Sequence, residues 1–209
     1  MASSGSGHSL FLDIDCCVWS CGNNKEGESG LGDEKRRTKP EKISKLPPIQ
    51  AISAGSNHSL LLDHLGSVWS FGNNCYGQLG LYKGTNTPEK IQGLPSILSI
   101  QCIGDSSFFI DCDGFVRSIG CNNYGQLGSG DSITNINLTV PIPFLPKIIS
   151  VSGGCLHSLF LDAEGSVWSC GHNGYCQLGL GTQQQEVDHK KFQVSQQLCR
   201  FMVVVIFQC

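Results

Sequence analysis

The sequence is poor in charged residues and contains no long apolar run. Only 15% of its 209 residues are charged, and the net charge is −3. This balance argues against general nucleic-acid affinity, which depends on clustered Lys and Arg that neutralise phosphates. The longest apolar stretch, Phe201–Phe207, is much shorter than the roughly 20 residues that span a bilayer. We therefore expect a protein that acts neither on membranes nor through direct, sequence-specific contacts to nucleic acid.

Motifs that carry catalysis are also missing. The sequence has no Gly-rich loop ending in Gly-Lys-Ser/Thr, no His-Glu-x-x-His motif and no outstanding pair of carboxylates. We predict a non-enzymatic protein without a cofactor. The chain also lacks a basic, apolar leader at its start, and its cysteine usage is not that of a secreted protein. We expect it in the cytosol or the nucleus.

Twelve cysteines would suggest a disulfide framework in a short secreted protein, but their positions favour another interpretation. Cys16 and Cys176 stand where other copies of a repeat carry glycine, and Cys21 and Cys170 stand in an apolar column. We predict that they are small buried fillers. The clusters around Cys16 and Cys170 lack the second matching pair of a structural zinc site, so no metal is predicted.

What the sequence does contain is one motif written four times. Asp13, Asp63, Asp111 and Asp162 mark equivalent points at spacings of 50, 48 and 51 residues. The fullest copy reads His-Ser-Leu-Leu-Leu-Asp over 58–63, Gly-Ser-Val-Trp-Ser-Phe-Gly-Asn-Asn over 66–74 and Gly-Gln-Leu-Gly over 77–80. A period of this length is typical of repeat architectures, in which each unit stacks on its neighbours.

Within one copy, short strands alternate with tight turns. Residues 49–53 alternate apolar and polar side chains, residues 59–62 are apolar, and residues 67–71 alternate again. Asp63 and Gly66 mark a hairpin turn, and the Pro-containing segment 87–91 is interpreted as a connection to the next copy. No stretch has a sustained helical period. The pattern predicts an all-β fold, a β-propeller whose blades have about four antiparallel strands.

This motif resembles the repeat of the regulator of chromosome condensation family over about residues 5–181, with repeat cores at about 5–32, 49–81, 98–129 and 148–181. The resemblance implies part of a ring that usually has about seven blades, or a small ring of four. It also implies a protein partner. The family's founding member promotes nucleotide exchange on the small GTPase Ran and docks on nucleosomes, while other members recruit substrates to ubiquitin ligases. The even spacing leaves no room for the extra hairpin that serves exchange in the founding member.

Residues 182–209 depart from the motif. A fifth His-Ser would fall near residue 207, where the sequence is apolar instead. Two interpretations stay open for this tail. It is either the divergent end of a fragment, with the next blade truncated, or it supplies a strand, Phe201–Phe207, that completes the first blade and closes a small ring. The first blade is expected to lack its first strand, because nothing before Gly5 matches the strand at 49–53.

The recurring His-Ser pair is predicted to be structural. A catalytic pair is needed once, at one geometry, yet His8, His58 and His157 each precede a serine. We predict that imidazole and hydroxyl satisfy backbone groups at buried turns.

The tryptophan column is predicted to pack between blades, with each indole N–H bonded to a local acceptor. Its members are Trp19, Trp69 and Trp168. Arg117 takes this place in the third copy, where surface variation, stacking on a ring and contact with a partner are the alternatives.

Segments that differ between copies are the candidate binding loops, because unit-specific loops of a propeller gather on one face. Lys35, Arg36 and Arg37 form the only tri-basic run. It is either a solvated loop or a grip for an acidic protein patch or a phosphate. Lys83 and Asp131 lie in the equivalent loops of the next two copies. We predict that these five residues bind the partner of an interaction scaffold.

Overall fold

The computed structural model consists of β-strands joined by turns, and it describes residues 1–130, 136–181, 183–184 and 186–192. In these residues, sixteen strands form four antiparallel sheets, each an up-and-down meander of four consecutive strands. In chain order the strands are β1 (Ala2–Ser4), β2 (His8–Leu12), β3 (Val18–Gly22), β4 (Arg37–Lys42), β5 (Ile49–Ala54), β6 (His58–Asp63), β7 (Val68–Gly72), β8 (Thr85–Lys90), β9 (Ile97–Ile103), β10 (Ser106–Asp111), β11 (Val116–Gly120), β12 (Ile136–Pro141), β13 (Ile148–Gly154), β14 (His157–Asp162), β15 (Val167–Gly171) and β16 (Glu186–Phe192).

The predicted fold class is confirmed, and the structure corrects two details of the strands. The segment around Pro88, predicted to be a connection, is the outermost strand β8 of the second blade. An outermost strand accepts proline because one of its sides has no ladder partner that needs an N–H. In the first blade, Ser3 of β1 pairs with Leu10 of β2, so a short strand occupies the place that we expected to be empty.

The tail of the sequence contributes to the fourth blade. Strand β16 lies within the segment predicted to diverge, and it pairs with β15, with Glu186 opposite Gly171. The predicted closing strand, Phe201–Phe207, lies outside the described residues.

Hydrophobic clusters fill the spaces between neighbouring blades. Leu60 and Leu62 of β6 pack against the third blade, whereas Leu61 between them packs against Leu10 of the first. Strand β6 is therefore buried on both faces, which explains its run of three leucines where a half-exposed strand would alternate. Between the last two blades, the rings of Phe108 and Phe160 meet edge to face, with centroids 5.9 Å apart.

An aspartate closes the hairpin between the second and third strands of each blade. In the second blade, Asp63 Oδ1 accepts the backbone N–H groups of Leu65 and Ser67, both at 2.9 Å, and Oδ2 accepts the Trp69 indole N–H at 3.0 Å. The first and fourth blades repeat the indole contact, at 2.8 and 2.9 Å. Since Trp69 also packs on the cluster between the first two blades, the structural role predicted for the tryptophans is confirmed.

In the third blade Arg117 takes the position of the tryptophan, and the hairpin aspartate keeps its backbone hydrogen bonds. Its Nη2 lies 3.8 Å from Asp111 Oδ2, while Asp111 Oδ1 accepts the same two backbone N–H groups as its counterparts. A guanidinium thus stands in for the indole N–H as the group facing the carboxylate.

A second polar network ties each blade to the next. Ser59 Oγ donates its single proton to the Glu28 carbonyl at 2.8 Å, so the contact of 2.9 Å between His8 Nε2 and Ser59 Oγ has the imidazole as donor. The next interface repeats this arrangement with His58 and Ser107, at 3.0 Å. The predicted structural role is confirmed, but its form differs from the prediction: the hydroxyl bonds a backbone carbonyl, whereas each imidazole bonds the serine of the next blade and not a backbone group. A catalytic base would accept the serine proton, whereas here that proton points at a backbone carbonyl.

Burial keeps these imidazoles neutral. Removal from solvent lowers the pKa of His8 to about 4 and that of His58 to about 3. A neutral ring supplies the single N–H that the serine oxygen accepts.

The prediction of buried filler cysteines holds for one position and fails for three. Cys170 is fully buried in the core, but Cys16 and Cys21 are half-buried and Cys176 is exposed. Cys16 and Cys176 adopt φ values of 60° and 58°, close to those of the glycines that they replace. Both positions require a left-handed turn, and their burial differs between copies: Gly66, Gly77 and Gly125 are buried, whereas Cys16 is half-buried and Cys176 is exposed.

We expect Asp63→Asn to lower the free energy of unfolding by about 1–2 kcal/mol at pH 7, because its amide would present N–H groups to the donors that the carboxylate now accepts. Burial acts to raise the pKa of Asp63, but hydrogen bonds from Trp69, Ser67 and Leu65 outweigh it and hold this pKa below its ordinary value. The wild-type advantage is therefore complete above the unfolded pKa of about 4 and is lost as the pH falls through the folded pKa.

Urea unfolding at pH 7 and pH 3 measures this difference. Asp113→Asn is the matched control, since Asp113 is exposed in the equivalent hairpin of the third blade. Equal losses of stability in the two variants would contradict the assignment.

We expect the protein to lose stability as the pH falls from 6.5 to 5, at up to about 1.4 kcal/mol per pH unit for each buried histidine. The folded pKa of His58 lies below its unfolded value, so the unfolded chain binds this proton first. His58→Ser, which installs the residue found at Ser106, should remove one histidine's share of the slope. Ser107→Ala, which keeps the imidazole, should leave the slope in place. Urea unfolding between pH 5 and 8 tests this, and an unchanged slope in His58→Ser would refute it.

Candidate functional site

The unit-specific loops leave the same end of all four sheets, because each connects the third strand of a blade to the fourth. We call this end the loop face; it comprises residues 23–36, 73–84, 121–130, 172–181 and 183–184 of the described chain. The opposite end carries the hairpins at 13–17, 63–67, 111–115 and 162–166, and we call it the hairpin face.

In each loop, the residues that directly follow the third strand are held in place by side-chain hydrogen bonds to the backbone, and we call them the base of the loop. Asn74 Oδ1 accepts the backbone N–H of Leu79 at 2.9 Å, and its Nδ2 donates to the Leu81 carbonyl at 2.9 Å. Asn24, Asn122 and Asn173 accept the N–H five residues ahead in the same way. Gln78 adds a bond from the Tyr76 N–H to its Oε1, at 2.9 Å. The repeated Asn and Gln therefore hold the base of the loop, and the residues after it are free to differ between blades.

The three consecutive cations of the first loop have different environments. Arg37 begins β4, and its guanidinium contacts Asp33 Oδ2 and Glu41 Oε2, both at 2.8 Å, and donates to the Lys35 carbonyl at 2.5 Å. The hydrogen bond from the Arg37 guanidinium lowers the pKa of the Asp33 carboxyl group to about 2. The side chains of Lys35 and Arg36 are exposed. Arg37 thus shapes the loop, and the two residues before it present their charge to solvent.

Lys83 lies beside an acidic cleft between the first two blades. The cleft has a volume of about 290 Å³ and is lined by Lys83 together with Glu26, Glu34, Gly84, Thr85, Asn86 and Glu89. Glu26 also joins the blades directly, since its Oε2 accepts Asn73 Nδ2 at 2.9 Å. Because Glu34 immediately precedes Lys35 in the chain, the cleft adjoins the loop that carries the exposed cations.

Sequence reasoning missed this cleft, although a signal for it exists. Glu26 occupies a column in which the other copies carry Tyr76, Tyr124 and Tyr175. A single acidic residue in an aromatic column is a difference of one repeat unit from the others, the same signal that marks the variable loops. Asp131, the last of the predicted partner-binding residues, lies outside the described residues.

Aromatic side chains mark the other end of the loop face. Tyr124 of the third blade meets His172 of the fourth edge to face, at 5.0 Å between centroids, and Tyr175 lies 6.0 Å from the same imidazole. His172 Nδ1 accepts Gln177 Nε2 at 2.8 Å, which orients the ring. Tyr175 is 88% exposed, so this cluster offers aromatic surface to solvent.

Within the part of the chain that the structure describes, no group of three or more His, Cys, Asp and Glu side chains has the arrangement of a metal site. Its ten cysteines are free thiols. A separate finding from the same residues is that none of them forms a helix long and apolar enough to cross a membrane.

Solved structures that resemble the chain share its fold. The structure of human WBSCR16 is 22% identical in sequence, has a TM-score of 0.85 and covers 93% of this chain and 53% of its own. Prp20p from Saccharomyces cerevisiae, described with its binding to Gsp1p and histones, is 22% identical, has a TM-score of 0.80 and covers 93% and 50%. The chain therefore spans about half the length of these proteins. No curated protein sequence matches it significantly.

The family assignment comes from the sequence motif itself. The model of the regulator of chromosome condensation (RCC1) repeat matches residues 15–62, 66–110, 113–161 and 164–195, and a second model of the same repeat matches residues 49–78. These matches cover most of the chain. Each of the first three begins before the third strand of one sheet and ends in the second strand of the next, so the repeat unit is offset from the sheets. The chain belongs to the regulator of chromosome condensation (RCC1) repeat family.

Proposed function

We propose that this chain is a non-enzymatic protein-interaction scaffold that holds a protein partner on its loop face. The observation that carries the proposal is the construction of the loops, which place variable residues on a base fixed by repeated Asn and Gln bonds. A fixed base lowers the ordering cost of binding, because the contact residues are held before the partner arrives. Cytosol and nucleus are the compartments in which we expect this interaction.

The chemistry of the face favours a protein over a small ligand. Lys35 and Arg36 offer exposed cations to carboxylates, and the neighbouring cleft offers Glu26, Glu34 and Glu89 to a basic side chain. The exposed ring of Tyr175 adds the aromatic surface that protein interfaces favour. Lys83 belongs to the proposed contact surface, and partner binding by Asp131 stays a prediction from the sequence. Arg37 supports the surface through its contacts to Asp33 and Glu41.

Two partner classes follow from the relatives. Because Prp20p is described as binding Gsp1p and histones, a Ran-type small GTPase and a histone complex are the first proteins to test. Exchange of guanine nucleotide on such a GTPase is the alternative function. The chain spans half of that relative, so binding and exchange are measured separately.

We expect the double variant Lys35→Ala/Arg36→Ala to weaken partner binding by about two- to tenfold at physiological salt, mainly through slower association, because exposed charges steer encounter. The matched control is Lys39→Ala/Lys147→Ala, which removes two exposed cations outside the loop face. Titration calorimetry with a purified Ran-type GTPase and with a histone dimer measures the affinities. Affinity capture from cells, quantified by mass spectrometry, extends the comparison to other partners.

The proposal fails if the wild type and the two double variants bind the same proteins equally. Fluorescent-nucleotide release from the GTPase distinguishes the functions. Binding without faster release supports the scaffold, whereas accelerated release would replace it with exchange activity.

A further inference from the structure

One hairpin of the hairpin face differs from its three counterparts in residue type and in strain. Cys16 adopts φ 60°, where Gly66, Gly114 and Gly165 adopt 76° to 84°. A residue with a Cβ is disfavoured in this left-handed conformation, and such strain clusters at functional positions. The turn does not require cysteine, because three glycines make it elsewhere in the same molecule.

The thiol of Cys16 has an imidazole as its neighbour. Its Sγ lies 3.4 Å from Nε2 of His64, which projects from the equivalent hairpin of the second blade. His64 is also particular to its blade, since Ile14, Cys112 and Ala163 occupy its column. The backbone holds the two hairpins together: Ile49 N–H donates to the Cys16 carbonyl at 3.1 Å, and His64 N–H donates to the Pro48 carbonyl at 3.4 Å.

Cys16 lines a cleft that a small molecule can enter. The cleft has a volume of about 350 Å³, and its lining includes Cys16, Cys17, Lys42, Leu46 and Pro47. Cys17 lies beside Lys42 and raises the pKa of that ammonium. Cys16 is half-buried rather than enclosed, and His64 is exposed, so both reacting groups are accessible from solvent.

We propose that Cys16 is a reactive thiol that forms mixed disulfides with small disulfide molecules, with His64 as its base. A thiol and an imidazole within hydrogen-bond reach are the arrangement that activates a cysteine nucleophile. Cys16 Sγ attacks one sulfur of the disulfide while its proton passes to His64. A new S–S bond forms, the S–S bond of the disulfide breaks, and the departing thiolate takes the proton from His64. Cys16 is oxidised and the small disulfide is reduced to a thiol.

This site is separate from the proposed partner surface, since it lies on the hairpin face. The molecule also contains an internal comparison. Cys176 has the same left-handed conformation and is more exposed, and no hydrogen bond to its thiol is seen among the described contacts. If exposure alone set the rate of disulfide formation, Cys176 would react faster. If activation by an imidazole sets it, Cys16 reacts faster.

The test is site-resolved mass spectrometry of the full chain treated with oxidised glutathione at pH 7. We expect the mixed disulfide at Cys16 to form at least about tenfold faster than at Cys176, a modest effect for general-base assistance. His64→Gln should slow Cys16 by about the same factor and leave Cys176 unchanged. Thermal melting of each variant is measured in parallel, to establish that the rates are compared between folded proteins.

Cys16→Gly is the second variant, and it should fold because glycine forms the three equivalent turns. Cys16 and Cys17 are adjacent, so the corresponding peptide of this variant keeps Cys17 alone. We expect the rapidly formed adduct to be absent from that peptide. A rapid adduct that persists in this variant would assign the reactivity to Cys17 and overturn the proposal. Equal rates at Cys16 and Cys176, or an unchanged rate at Cys16 in His64→Gln, would overturn it as well.

Discussion

The packing of each blade against the next is the constraint on which this structure depends. A four-stranded sheet with two apolar faces cannot bury them alone, so Leu60 and Leu62 need the third blade just as Leu61 needs the first. The hydrogen bonds from histidine to serine and from serine to a backbone carbonyl cross the same interfaces, and they require specific positions of the two blades. Hydrophobic area supplies the driving force, and the polar chain sets the register, because a slip would leave a buried hydroxyl and imidazole unpaired.

The internal repeat separates residues that build blades from residues that distinguish them. Asp63, Ser70, Asn74 and Gln78 all bond to backbone or to other repeat residues within their own blade. Their recurrence is therefore explained by folding. Departures from the column are the informative positions: Glu26 in a tyrosine column lines the acidic cleft, and Cys16 in a glycine column meets His64. Arg117 shows that a departure can also be structural, since it faces Asp111 as an indole would.

The sequence predicted some features correctly and others wrongly, for identifiable reasons. The hairpin of residues 58–72 could be read because its alternation, its Asp and its Gly are local signals. The outer strand β8 was missed because it is exposed and contains Pro88, so it lacks the apolar pattern that marks strands. The cysteines at 16, 21 and 176 were wrongly placed in the core, because burial at one repeat position differs between blades: Phe71 and Cys170 are fully buried in the column where Cys21 is half-buried.

The division into four repeat units, the hairpin turns and the loop bases were determined by the sequence alone. Each depends on contacts within a few residues, such as Asp63 with Leu65 and Ser67, and the repeat writes these contacts four times. The candidate sites were decided only by the tertiary structure. Cys16 and His64 are 48 residues apart in the chain and meet because adjacent blades pack in register. The cleft beside Lys83 likewise combines glutamates from two blades. No local pattern encodes such pairs, since the distance between them is set by the packing of one blade on the next.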